Sequence, residues 1–88
     1  MYYTYVLKSE KDGKLYIGQT EDLSQRFISH NLGKVKSTKH RRPFKLLHYQ
    51  DFLTLSEARR QEKKWKSAWG HVQLKKILSS IPSEPYGP

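Results

Sequence analysis

Tyr5, Tyr16, Arg26, His30 and Glu62 are side chains of the kinds that together can break a phosphodiester bond. Such hydrolysis needs a nucleophilic water, stabilisation of charge on the phosphate and help for the leaving oxygen. A guanidinium grips phosphate oxygens bidentately, and an imidazole transfers or orients a proton near neutral pH. A carboxylate can hold a divalent cation, and a phenol can act on water once neighbouring cations draw it below its free pKa of about 10. A lone carboxylate holds one ion, unlike sites built from several acidic residues. Taken singly, each residue has an ordinary explanation: tyrosines suit strands, an arginine on a half-buried helix is surface, and a lone histidine is structural.

The case for a site rests on the elements that carry these residues. Residues 2–8 and 14–19 are rich in β-branched and aromatic side chains, and Asp12-Gly13 between them is a hairpin signal. A two-residue turn sets Lys11 opposite Lys14 and Ser9 opposite Tyr16. Side chains alternate along strands, so Tyr3, Tyr5, Leu7 and Ser9 then share a face with Tyr16 and Gly18. In that register Tyr5 and Tyr16 stand four residues apart on the ladder, roughly 13 Å, and flank a groove without touching. Gly18 would leave bare backbone there for a phosphate. Asp22 caps a helix reaching about Asn31, with Leu23, Phe27 and Ile28 inward and Arg26 and His30 one turn apart. A basic loop over residues 33–43, with room for a short helical turn, leads to a third strand over 44–52. Thr54 and Glu57 form a capping box for a helix over 55–67, and a last helix is expected within 71–80. Leu55, Ala58, Trp65 and Trp69 make an apolar stripe with Glu62 set into it. A buried unpaired carboxylate costs several kcal/mol in order of magnitude, so Glu62 calls for a cation, a partner such as Arg26, an ion pair with Lys66, or a stripe that leaves the core early.

The chain has 88 residues, room for one domain with one modest core, and no cysteine to supplement it. We read a domain over residues 1–80 and a Pro-rich tail over 81–88. The N-terminal residues lack the features of a signal peptide and no stretch is apolar enough to span a membrane, from which we expect a soluble cytoplasmic protein. Seventeen Lys and Arg against eight Asp and Glu leave a net charge of +9, which makes nucleic acid the leading partner. The charge is clustered: Lys34, Lys36, Lys39, Arg41, Arg42 and Lys45 form one group, and Arg59 and Lys63 belong to a second, all candidates for phosphate contacts. No segment joins basic residues to the broad apolar face of an interfacial helix, which argues against membrane binding.

The two tripeptides Tyr3-Thr4-Tyr5 and Tyr16-Ile17-Gly18, then Arg26 and His30, then Glu62 three residues before Trp65, resemble the GIY-YIG nucleases over residues 2–69. The likeness is to small stand-alone bacterial members and, more distantly, to the N-terminal nuclease domain of the excision-repair endonuclease. Tyr16-Ile17-Gly18 matches its tripeptide in full, whereas only Tyr5 of the first is retained. The resemblance implies a compact α/β (α+β) domain with a three-stranded, mainly antiparallel sheet between about three helices. It implies metal-dependent hydrolysis of DNA with one Mg2+ or Mn2+ on Glu62, Arg26 clamping the phosphate, one of Tyr5 and Tyr16 as general base, Tyr16 by preference, and the other tyrosine and His30 positioning the reacting groups. Gln19 stands where some members carry a lysine. With no attached DNA-binding domain, cleavage directed by DNA structure or weakly by sequence is expected, in repair or recombination, with a protein partner or self-association as a source of specificity. The alternatives are a non-catalytic nucleic-acid-binding module and, third, a protein-interaction domain.

Overall fold

The structure, a computed structural model, describes residues 1–80. Three strands, β1 (Tyr2–Ser9), β2 (Leu15–Thr20) and β3 (Phe44–Phe52), form one antiparallel sheet in the order β2-β1-β3. Helix α1 (Leu23–Asn31) follows β2, and a short 3-10 turn (Lys39–Arg41) precedes β3. Helices α2 (Leu55–Lys66) and α3 (Ala68–Ser79) complete the described chain. No helix among these residues is long and apolar enough to cross a membrane.

The central strand β1 is covered on both faces, which is why Thr4, Tyr5, Val6 and Leu7 are buried in succession where a one-sided strand would alternate. On one face Tyr5, Leu7, Phe44 and Leu46 pack with Tyr16, Tyr49 and with Leu23 and Phe27 of α1. On the other, Val6 and Ile17 pack with Trp65 of α2 and Leu74 of α3. Thr4 points into this second layer, where its hydroxyl donates to the Ala58 carbonyl at 2.7 Å and so avoids the penalty of an unpaired buried polar group. Between Val6 and Leu7 the pairing with β3 slips by one residue, so that Val6 faces His48 and Leu7 faces Leu46.

Helix α1 starts where the Asp22 carboxylate accepts the Gln25 amide, and α2 where the Thr54 hydroxyl accepts that of Glu57, as the cap signals imply. Ile28, expected inward, is half exposed, because the inward side of α1 is taken by Leu23, Phe27 and His30.

The hairpin corrects the two-residue turn. Tyr16 faces Leu7 rather than Ser9, and the last hydrogen bond before the turn runs from the Ser9 amide to the Lys14 carbonyl. A four-residue loop therefore joins the strands. Its closure comes from the Ser9 side chain, which accepts the Lys11 and Asp12 amides, and from Gly13, whose φ of 72° few other residues adopt readily. A shift of two residues leaves every side chain on its expected face while bringing Tyr16 closer to Tyr5.

The second correction concerns Trp69. Helix α2 ends at Lys66 because Ser67 starts a new helix: its hydroxyl accepts the Gly70 amide and donates to the Lys64 carbonyl. The stripe is cut there, and Trp69 lies in the first turn of α3 with 70% of its surface exposed. The corner is tight enough that a side chain at Gly70 would collide with the Lys64 carbonyl. The expected Pro-rich tail lies outside the described residues.

Candidate active site

With the four-residue loop, Tyr5 lies opposite Gly18 and diagonal to Tyr16, and the two phenol rings are 6.3 Å apart. The groove expected between them is thus closed to a contact. The space over Gly18, expected for a phosphate, holds the Tyr5 phenol: a Cβ there would come within 2.6 Å of Tyr5 Oη and 3.1 Å of Tyr16. Glycine is needed for this overlap, and the second tripeptide is read here as a seat for the first.

From α1, His30 enters the same cluster fully buried, its ring 5.0 Å from Tyr16 and 5.8 Å from Tyr5. Tyr5 Oη lies 2.9 Å from His30 Nε2, and Arg26 Nε donates to Tyr5 Oη at 3.4 Å. On the far side His30 Nδ1 is 2.8 Å from Thr38 Oγ1, whose hydroxyl reaches the Val35 carbonyl. Arg26 can only donate, so Tyr5 Oη accepts there and its single proton goes to His30. Nε2 is then the bare nitrogen, Nδ1 carries the proton and gives it to Thr38, and Thr38 gives its own to Val35. No buried side-chain polar atom among the described residues lacks a partner.

The electrostatics agree with this order. Burial, then the nearby Arg26 charge, pull His30 down to about 4, so the imidazole is neutral at physiological pH. Burial pushes Tyr5 up to about 12 against the lowering effect of Arg26, and the charges of Tyr16 and Glu62 add to the rise. Tyr5 is therefore a standing donor and a poor base. Arg26 is held more firmly charged, first by its hydrogen bond to Tyr5, with Tyr16 also contributing. Its guanidinium thus interacts with both tyrosines.

His30 makes stability depend on pH. An unfolded histidine titrates near 6.5 and the folded one near 4, so between these values the unfolded chain binds a proton that the native state refuses. The contribution is fully present above pH 6.5 and is lost at up to about 1.4 kcal/mol per pH unit as pH falls toward 4. Urea unfolding across this window should show a steeper fall for the native protein than for His30→Gln; equal slopes would contradict the burial of a neutral His30.

Glu62 belongs to α2, on the opposite side of the sheet from α1, and approaches at the edge strand β2. It lines a surface groove of about 500 Å3 with Gln19 of β2 and with Arg59, Arg60 and Lys63. Its partner is Lys66, at 2.6 Å, and not Arg26. The ion pair considered as an alternative from the sequence is thus present, although its influence on Tyr5 places Glu62 within electrostatic reach of the tyrosines. Among the described residues no three His, Cys, Asp or Glu side chains converge to cage a metal. A magnesium-type ion keeps several waters and takes one or two carboxylates plus substrate phosphates, so a single half-buried glutamate fits such an ion once the half-exposed Lys66 turns aside.

The basic candidates separate. Lys34, Lys36 and Lys39 are exposed on the loop before β3, and Arg59 and Lys63 flank Glu62. Arg42 lies over Gly33 and donates to the Lys39 carbonyl. Arg41 is engaged with Asp12 at 3.0 Å and the Leu15 carbonyl, and Lys45 with Glu10 at 3.3 Å, so these two brace the hairpin. Thr38 was not foreseen; nothing in its local sequence marks a loop threonine that will meet a histidine eight residues earlier.

A three-stranded antiparallel sheet between helices, carrying this tyrosine, arginine and histidine cluster, agrees with what residues 1–75 match, the model of the GIY-YIG catalytic domain, and the chain belongs to the GIY-YIG family, a nuclease superfamily. Within it, the chain is similar to small UPF0213 proteins. One from Bacillus pumilus is 46% identical over 67 residues, covering 75% of this chain and 67% of the relative. One from Staphylococcus saprophyticus is 42% identical over 77 residues, covering 86% and 93%. The solution NMR structure of a UPF0213 protein from Bacillus halodurans superposes with a TM-score of 0.54 at 36% identity, over 88% of this chain and 85% of that one.

Proposed function

We propose that the protein is a divalent-metal-dependent endonuclease that hydrolyses DNA phosphodiesters, directed by DNA structure or weakly by sequence. The observation that carries this reading is the convergence of Tyr5, Tyr16, Arg26 and His30 in one contact cluster, with Glu62 in electrostatic reach from α2. Arg26 uses Nε on Tyr5, which leaves its terminal amino groups to bind the scissile phosphate and stabilise the charge that builds there. Tyr5 spends its proton on His30 and stays neutral, so it positions Arg26 and does not accept a proton from water. Tyr16, half-buried at the edge strand and beside Arg26, is the remaining phenol and takes the role of general base. Glu62 would hold one Mg2+ or Mn2+, which when bound supplies charge neutralisation at the leaving oxygen and favours the Tyr16 phenolate. Lys34, Lys36, Lys39, Arg59 and Lys63 contribute sequence-independent phosphate attraction, and repair or recombination is the fitting setting.

A second reading, a nucleic-acid-binding module without catalysis, draws on the Glu62–Lys66 pair. Incubating purified protein with supercoiled, linear and branched DNA in Mg2+ or Mn2+ separates the two. Nicked or resolved products that vanish with chelator are expected; salt-sensitive binding without cleavage on every substrate would leave only the second reading.

A further inference from the structure

We propose that Thr38 is a positioning residue that holds His30 as its Nδ1–H tautomer and thereby fixes which way the Tyr5 hydroxyl points. The role rests on the nuclease reading for its catalytic consequence, although the tautomer does not. Thr38 and His30 are both 0% exposed, and no solvent is available to replace either partner. A neutral imidazole has one proton to place, and the hydrogen bond at one ring nitrogen decides the role of the other. Thr38 Oγ1 can accept from Nδ1 because its own proton has an outlet in the Val35 carbonyl.

The alternative tautomer fails for a specific reason. A proton on Nε2 would point at Tyr5 Oη, which already receives Arg26 Nε–H. The Tyr5 proton would then have no buried acceptor and would turn toward the donors of Arg26, pushing the guanidinium from the position needed for a phosphate. Thr38 therefore acts on Arg26 through two intervening side chains. It also docks the loop that carries Lys34, Lys36 and Lys39 against the cluster.

Long-range proton–nitrogen correlation spectra of 15N-labelled protein at neutral pH read the tautomer directly. In the native protein His30 should show a protonated Nδ1 and a bare Nε2; the reverse pattern, or a charged ring, overturns the proposal whatever the variants do. Thr38→Val, close in shape but without the hydroxyl, should shift the ring toward the other tautomer or a mixture, and Thr38→Ser should restore the native pattern. In DNA cleavage, Thr38→Val should lower kcat by about ten- to a hundredfold with KM within about twofold, and Thr38→Ser should recover most of it. A Thr38→Val protein with the native tautomer, or with altered tautomer and native kcat, rejects the positioning role. Absence of cleavage in the native protein would instead reject the nuclease reading, and the spectra would still decide the tautomer.

Discussion

Glu62→Gln should abolish metal-dependent cleavage, lowering the rate by about a thousandfold or more while leaving the fold intact. The substitution keeps the shape of the side chain and removes the charge that a hydrated divalent ion needs. Its structural cost is small, because the Glu62–Lys66 pair joins neighbours on one helix with Lys66 half exposed, and pairs of this kind contribute about 0.3–0.5 kcal/mol. DNA binding should be unchanged or tighter, since one negative charge leaves a groove otherwise lined by Arg59, Arg60, Lys63 and Gln19. Calorimetric titration with Mn2+ in the presence of uncut DNA analogue should lose its signal in parallel. Cleavage within tenfold of the native rate would remove Glu62 from the site and with it the single-metal scheme.

The second large effect is expected at Arg26. Arg26→Ala should reduce kcat by about a hundred- to a thousandfold, the range for loss of one preorganised donor to developing charge. Arg26→Lys should rescue little, because an ammonium cannot donate to Tyr5 and also present a planar pair of donors to phosphate. A second readout distinguishes this role from loss of fold. Arg26 depresses the protonation of His30 and that of Tyr5, so Arg26→Ala should move both pKa values upward, which NMR titration can follow. An unmoved His30 titration would place the guanidinium elsewhere, and cleavage near the native rate would end its assignment as phosphate clamp.

Much of the fold is legible in the residues alone. The Asp22 and Thr54 caps, the third strand and the shared face of Tyr5 and Tyr16 depend on local chemistry or on the two-residue period of a strand. What was misplaced depended on partners distant in sequence or on competition between neighbouring signals. Asp12-Gly13 would suit a two-residue turn, yet the Ser9 hydroxyl both closes a longer loop and donates to the Arg41 carbonyl 32 residues away. Helical periodicity carried Trp69 into the α2 stripe, but Ser67 capped a new helix and turned it out. Arg41 and Lys45 looked like phosphate contacts by charge alone, whereas Asp12 and Glu10 engage them.

The site divides in the same way. Residue types, their order and the parity of the strands determined that Tyr5, Tyr16, Arg26, His30 and Glu62 were the candidates, because alternation and helical spacing are local and survive a register shift of two. Only tertiary structure decided the contacts. It seated Tyr5 over Gly18, directed its proton to His30 with Thr38 behind, and paired Glu62 with Lys66. Proton direction and ion pairing are properties of a closed, desolvated network, in which each donor's role follows from the acceptors left to its neighbours, and that accounting begins only once the helices have packed on the sheet.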